Sequence, residues 1–183
     1  MLERRGTPSE REPGAVSQQP GEVASWPAAV RRGRGLSPHQ LVVYNAWQAV
    51  RGNRHFPPRA ALDLHAIKKA LGAIAILDVL HPETGRALAF RIRLWGTRLV
   101  DWTGADATGR VITARTGPRV VLRRLKRVVT TAGPLFARGV LVPWSPYDYK
   151  RFHVLALPLG AKPPLVDQIL CVFEPVIPPS SLF

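Results

Sequence analysis

Ala87-Leu88-Ala89-Phe90-Arg91-Ile92-Arg93-Leu94-Trp95 is the stretch on which the reading of the fold turns. Leu88, Phe90, Ile92 and Leu94 alternate with Arg91 and Arg93, a period of two that puts apolar side chains on one face of a β-strand and charge on the other. Just upstream, Ala73–Leu80 is a continuous apolar run broken only by Asp78, and His81-Pro82-Glu83-Thr84-Gly85-Arg86 supplies turn residues between the two. Two apolar strands across a short turn predict an antiparallel hairpin.

Working outward, Gly96 to Gly117 has no sustained period apart from a short helical turn over Thr97–Trp102. Pro118 to Thr131 then carries the strongest helical pattern of the chain. Val121, Leu122, Leu125, Val128 and Val129 form a stripe, and Arg119, Arg123, Arg124, Lys126 and Arg127 occupy the remaining positions. Leu135–Trp144, Phe152–Leu159 and Gln168–Glu174 read as three further strands, and Pro178-Pro179 marks the exit. On the other side of the hairpin, Ser37 and Pro38 have the chemistry of an N-cap and a first helical residue. Leu41, Tyr44 and Trp47 follow at helical spacing, and Gly52-Asn53 with Pro57-Pro58 ends that helix. A second short helix is predicted over Asp63–Leu71, closed by Gly72. The order predicts an α+β fold: a five-stranded antiparallel sheet, helices inserted between strands 2 and 3, and an N-terminal flanking helix. Such a sheet would curl around the long helix and enclose a pocket.

Residues 1–35 are rich in Pro, Gly, Ser, Glu and Arg without apolar periodicity, and are expected to form a disordered basic tail. The domain is expected over residues 36–178, with 179–183 as a C-terminal tail. Composition, at 46% apolar and 21% charged, is that of a globular chain able to build a core. No apolar run reaches the roughly 18 residues a membrane span needs, and the N-terminus has no apolar stretch suited to a signal peptide, so a cytoplasmic location is expected. A net charge of +14 ordinarily points toward nucleic acid or an anionic surface. However, 21 of the 26 basic residues are Arg, in a chain also rich in Ala, Pro and Gly, the bias of a GC-rich coding sequence. The 20 basic and 8 acidic residues from position 36 onward show that the excess is not confined to the tail.

The element order and several local blocks resemble a bacterial family of stand-alone PAS domains. Phe56-Pro57-Pro58-Arg59 with Asp63, the Ala75–Val79 strand, and Phe90–Thr97 are three of these blocks. Gly104-Ala105-Asp106-Ala107-Thr108-Gly109 resembles the family's Gly-x-Asp-x-Thr-Gly element, and Leu157–Gly160 with Val166–Leu170 resembles its closing hairpin. The resemblance covers roughly residues 39–175. It implies a sensory or protein-interaction module in bacterial signalling, with no ligand specified, because fold alone does not deliver function.

Haem in such domains commonly takes a His on or beside the long helix, and Arg119–Thr131 contains no His, Cys or Met. Photoactive flavin needs a cysteine in the helical region before that helix, whereas the single cysteine, Cys171, lies in an apolar strand. No cofactor is therefore expected. The residues expected around a pocket are Phe90, Ile92, Leu94, Trp102, Val121, Leu122, Leu125, Val129, Trp144 and His153. These residues read equally as a filled apolar core without a ligand or as the lining of a small-molecule site, and a protein partner or homodimer is expected to meet the Leu41, Tyr44 and Trp47 stripe.

Catalytic patterns fail individually. The histidines at 39, 55, 65, 81 and 153 have no metal-ligand spacing, and Gly104 and Gly109 lack the Lys-Ser/Thr of a phosphate loop. No Gly-x-Ser-x-Gly elbow is present, and acidic residues are sparse. The reading is a non-catalytic sensory or interaction module. The alternative is a basic protein binding nucleic acid or another anionic surface through Arg119, Arg123, Lys126 and Arg127.

Overall fold

The hairpin predicted by the alternation is present in the computed structural model, which describes residues 35–82 and 88–176. Strand β1 (Ile74–Leu80) pairs antiparallel with β2 (Ala89–Trp95). Residues 83–87 of the expected turn, the tail up to residue 34 and residues 177–183 lie outside the described residues.

Helix α1 (Pro38–Arg51) precedes the hairpin; α2 (Thr97–Thr103), the short strand β3 (Val111–Ile112) and α3 (Arg119–Thr131) follow it. Strands β4 (Leu135–Leu141), β5 (Arg151–Leu159) and β6 (Gln168–Pro175) complete one sheet of order β3-β2-β1-β6-β5-β4. Every neighbouring pair is antiparallel.

The sheet has six strands where five were expected. The extra one, β3, arises from the glycine-flanked loop before it. Gly104 and Gly109 adopt left-handed φ values of 72° and 82°, and Asp106 accepts the Thr108 N–H at 2.9 Å. The turn delivers Gly109 N–H to Ile92 O at 2.7 Å and Arg110 O to Ile92 N–H at 2.9 Å, so Val111 and Ile112 continue alongside Arg91 and Phe90. Two residues are too short to show a period.

Strand β2 departs from its alternation at one residue. Ile76 pairs with Leu94, but Leu77 pairs with Ile92, so Arg93 is an extra residue in a β-bulge. Phe90 and Ile92 stay buried, Leu94 turns outward and is exposed, and Trp95 takes the inward position. The segment 63–71 is also not the α-helix expected. A 3₁₀ turn, Arg59–Ala61, precedes the segment and a second, Lys68–Ala73, takes up its end, while the Asp63 carboxylate accepts the His65 N–H at 2.8 Å, an Asx turn competing with helix. Leu64 is exposed, while Ile67 and Ala70 are buried.

Both faces of the central strands are apolar. Register places Ala75, Ala156 and Cys171 in one row on the face toward α3, and Ile74, Leu155 and Val172 in a row on the other. Helix α1 covers that second face. Its N-terminus is a capping box: Ser37 Oγ accepts the Gln40 N–H at 3.3 Å and Gln40 Oε1 accepts the Ser37 N–H at 3.2 Å. The same Gln40, fully buried, donates from Nε2 to His153 O at 3.0 Å and to Val172 O at 3.2 Å. Farther along, Trp47 donates from Nε1 to Pro158 O at 2.9 Å. Val43, Tyr44 and Trp47 are consequently buried on the chain's own sheet, with Leu41 half-buried at the edge. The stripe expected to meet a partner is used within the chain.

Asp78 is a buried carboxylate on the α1 face. Arg91 donates to it at 2.9 and 3.2 Å, Gln168 Nε2 donates at 2.8 Å, and Arg93 lies 3.8 Å away. Burial raises its carboxyl pKa, but those hydrogen bonds and the two guanidinium charges outweigh burial and hold it below the ordinary value.

The α1 cover is therefore energetically central. Trp47→Ala should destabilise the full chain by about 3–5 kcal/mol in urea denaturation, through the lost ring and the cavity it leaves. Trp47→Phe, which keeps most of the ring and loses the bond to Pro158, should cost about 1–3 kcal/mol.

Candidate functional site

Where β4, β5 and β6 pass beneath α3, their inward residues become short. Ala156 and Cys171 are register partners on β5 and β6, and Ala137 lies one strand over, opposite Val154. Short side chains under a helix leave space, and a cavity of about 80 Å³ opens there. Its roof is Val121, Arg124 and Leu125 of α3. The floor includes Leu77, Ile92, Trp95, Ala156, Cys171 and Phe173, and the segment Val140–Trp144 forms one side. The surface is almost wholly apolar.

Three aromatic rings meet at its wall. Trp95 lies edge-on to Trp144 at 5.6 Å and to Phe173 at 5.4 Å. Both Trp95 Nε1 and Trp144 Nε1 are shut off from solvent, and neither has a hydrogen-bond partner among the described residues. The Arg110 guanidinium stands over the Trp144 ring at 5.6 Å. Arg124 is the only charged residue in the lining; desolvation, then the charge of Arg123, lowers its pKa. Burial alone pushes the Cys171 thiol up to about 12, so it is neutral and unreactive at physiological pH.

Of the residues expected around a pocket, Ile92, Val121, Leu125 and Trp144 line this cavity. Phe90 is buried nearer the far end of β2, beside β3, and Leu94 is turned outward by the bulge. Leu122 and Val129 lie on α3 but outside the lining, Leu122 bordering a groove on the helix's charged side. Trp102 packs against Phe152 at 6.1 Å in a separate surface depression with Tyr149 and Lys150. His153 sits on the α1 face of β5, beside Phe136 and Glu174, with Gly139 N–H 3.4 Å from its Nδ1. Burial and the charge of Arg138 lower its pKa, only partly opposed by Glu174.

The sequence reading missed Trp95, Cys171 and the two alanines as lining residues. The small residues left a signal: Ala137, Ala156 and Cys171 interrupt otherwise bulky strands. Their convergence depends on register, which no local pattern supplies.

On its outer side α3 presents Arg119, Arg123, Lys126 and Arg127 around a shallow groove with Ala114 and Thr130. None of these four forms an ion pair among the described residues. No group of three or more His, Cys, Asp or Glu side chains suited to a metal ion is found among the described residues, and no described helix is long and apolar enough to cross a membrane.

An antiparallel sheet curled around one long helix, with a cavity at their contact, defines an α+β module. A family model described as a PAS domain matches residues 36–171, and the chain belongs to that family. A search of curated proteins gave no match.

The burial of Cys171 has a direct readout. In the folded protein its thiol should resist a colourimetric disulfide reagent at pH 8 for hours and react within minutes once denaturant opens the core. Prompt reaction without denaturant would contradict the raised pKa and the burial together.

Proposed function

We propose that this PAS domain is a non-catalytic, cytoplasmic sensory or interaction module in bacterial signalling, whose input is a small molecule held between α3 and the sheet. The observation that carries this reading is the apolar cavity of about 80 Å³, roofed by a helix whose other side faces solvent. Occupancy would act on α3 from within, and a partner would read α3 from outside. Because α1 is spent on the chain's own sheet, a partner or second copy is expected on a surface other than the Tyr44–Trp47 stripe.

The test is native mass spectrometry of the full chain, with and without a library of small apolar compounds. A non-covalent adduct that is lost on denaturation, and lost again in Ala156→Leu, which fills the cavity, supports the reading. No adduct from any compound, or adducts unaffected by Ala156→Leu, would remove the ligand part.

A second reading rests on four cations of α3 that form no ion pair among the described residues. An anionic polymer could lie along Arg119, Arg123, Lys126 and Arg127, and four phosphate contacts predict a slope of about −3 to −4 for log affinity against log salt with duplex DNA. Fluorescence anisotropy between low and physiological salt measures it. Affinity unchanged in Arg123→Glu/Arg127→Glu ends this reading.

A further inference from the structure

The cavity beneath α3 is distinguished by what its wall withholds. Almost no polar surface opens into it. Trp95 and Trp144 stand in the wall, but their Nε1 atoms have no surface that a water could touch, so the rings present carbon there and no donor. Arg124 borders the roof, where desolvation is the largest influence on its guanidinium, and the Cys171 thiol is neutral. Ile92, Val121, Leu125, Ala156 and Phe173 add aliphatic and aromatic carbon. The approach is apolar too, since Leu141 and Pro143 belong to the lining and are exposed.

Such a wall restricts what can fill the space. A buried water needs about two to four polar partners, and this lining offers none, so the cavity is expected to be dry. An alcohol, amide or carboxylate entering it would give up hydrogen bonds to water and regain none. The void itself deprives every lining side chain of dispersion contacts, which another hydrocarbon restores without any such penalty. Size narrows the choice further. An apolar cavity of roughly 150 Å³ holds one benzene ring. The space here, about 80 Å³, is close to half of that and by proportion admits about three or four carbons.

From this we infer that the ligand is an unfunctionalised hydrocarbon of about three or four carbons, lying against Ala137, Ala156 and Cys171 beneath Val121 and Leu125. The inference rests on the cavity being the ligand compartment, and it adds the chemical class. Selection comes from the absence of any partner for a polar group, so each oxygen introduced into a ligand of the same shape weakens binding.

The experiment follows the alanine methyl signals of the ¹³C-labelled full chain, titrated in parallel with isobutene, acetone and acetate. These share one Y-shaped frame and differ in how many of its carbons are replaced by oxygen. Isobutene should shift the methyls of Ala137 and Ala156 and leave that of Ala70, buried but outside the lining, in place. It should bind at least about tenfold more tightly than acetone, and acetate should shift neither methyl. Ala156→Leu, which fills the space, should abolish the isobutene shift at Ala137. If that variant does not fold, the smaller Ala137→Val should weaken isobutene by roughly tenfold, read at Ala156, while the unaltered protein carries the comparison of the three compounds. Acetone or acetate binding in the cavity as tightly as isobutene would overturn the hydrocarbon class and leave the cavity reading standing. So would a cavity adduct with a functionalised compound when isobutene does not bind. Isobutene shifts that persist in a folded Ala156→Leu would place it elsewhere and overturn the inference. No occupancy by this series or by any other apolar compound would overturn both.

Discussion

Everything in this fold depends on a sheet whose central strands are apolar on both sides. Ile169, Cys171 and Phe173 of β6 point one way, Leu170 and Val172 the other, and all five are buried. Each buried side chain of this kind is worth about 1.5–3 kcal/mol when removed from water, so neither face can be left open. The chain closes one with α1 and the other with α3. The two helices do this differently: α1 is fastened by hydrogen bonds from Gln40 and Trp47 to strand carbonyls, whereas α3 lays the apolar stripe of Leu122, Leu125 and Val128 over short residues beneath.

That difference separates structure from function. The α1 side is filled and polar-locked, with the Asp78 carboxylate on that face balanced by Arg91 and Arg93 and hydrogen-bonded by Gln168. The α3 side is where packing is incomplete and where two indole donors lack acceptors among the described residues. Unfilled volume and unsatisfied polar groups are both costly in a stable domain, so finding them together is the strongest pointer to a site. The outer charge of α3 gives the same helix an apolar inner face over the cavity and a basic outer face toward solvent.

Much of this was legible in the chain. Alternation at Leu88–Leu94 identified a strand, the stripe Val121–Val129 identified the long helix, and Ser37-Pro38 marked the start of α1 to the residue. The misreadings also share a cause. The bulge at Arg93, the Asx turn at Asp63 and the added strand at Val111–Ile112 are decided by hydrogen bonds to distant or adjacent backbone, which compete with side-chain periodicity without altering it. Half of a pocket could be read from a helix stripe, but Leu94 and Trp95 exchanged roles because one extra residue reverses the faces of a strand.

The sequence by itself determined the elements, their order, and the fact that both sheet faces need covers, because local apolar periodicity is a property of consecutive residues. Only the tertiary structure decided which cover goes where, that Tyr44 and Trp47 face inward, that His153 lies away from the cavity, and that Ala137, Ala156 and Cys171 meet beneath α3. Those outcomes depend on strand register, which brings together residues tens of positions apart. A cavity is the space left between them, and no single segment encodes it.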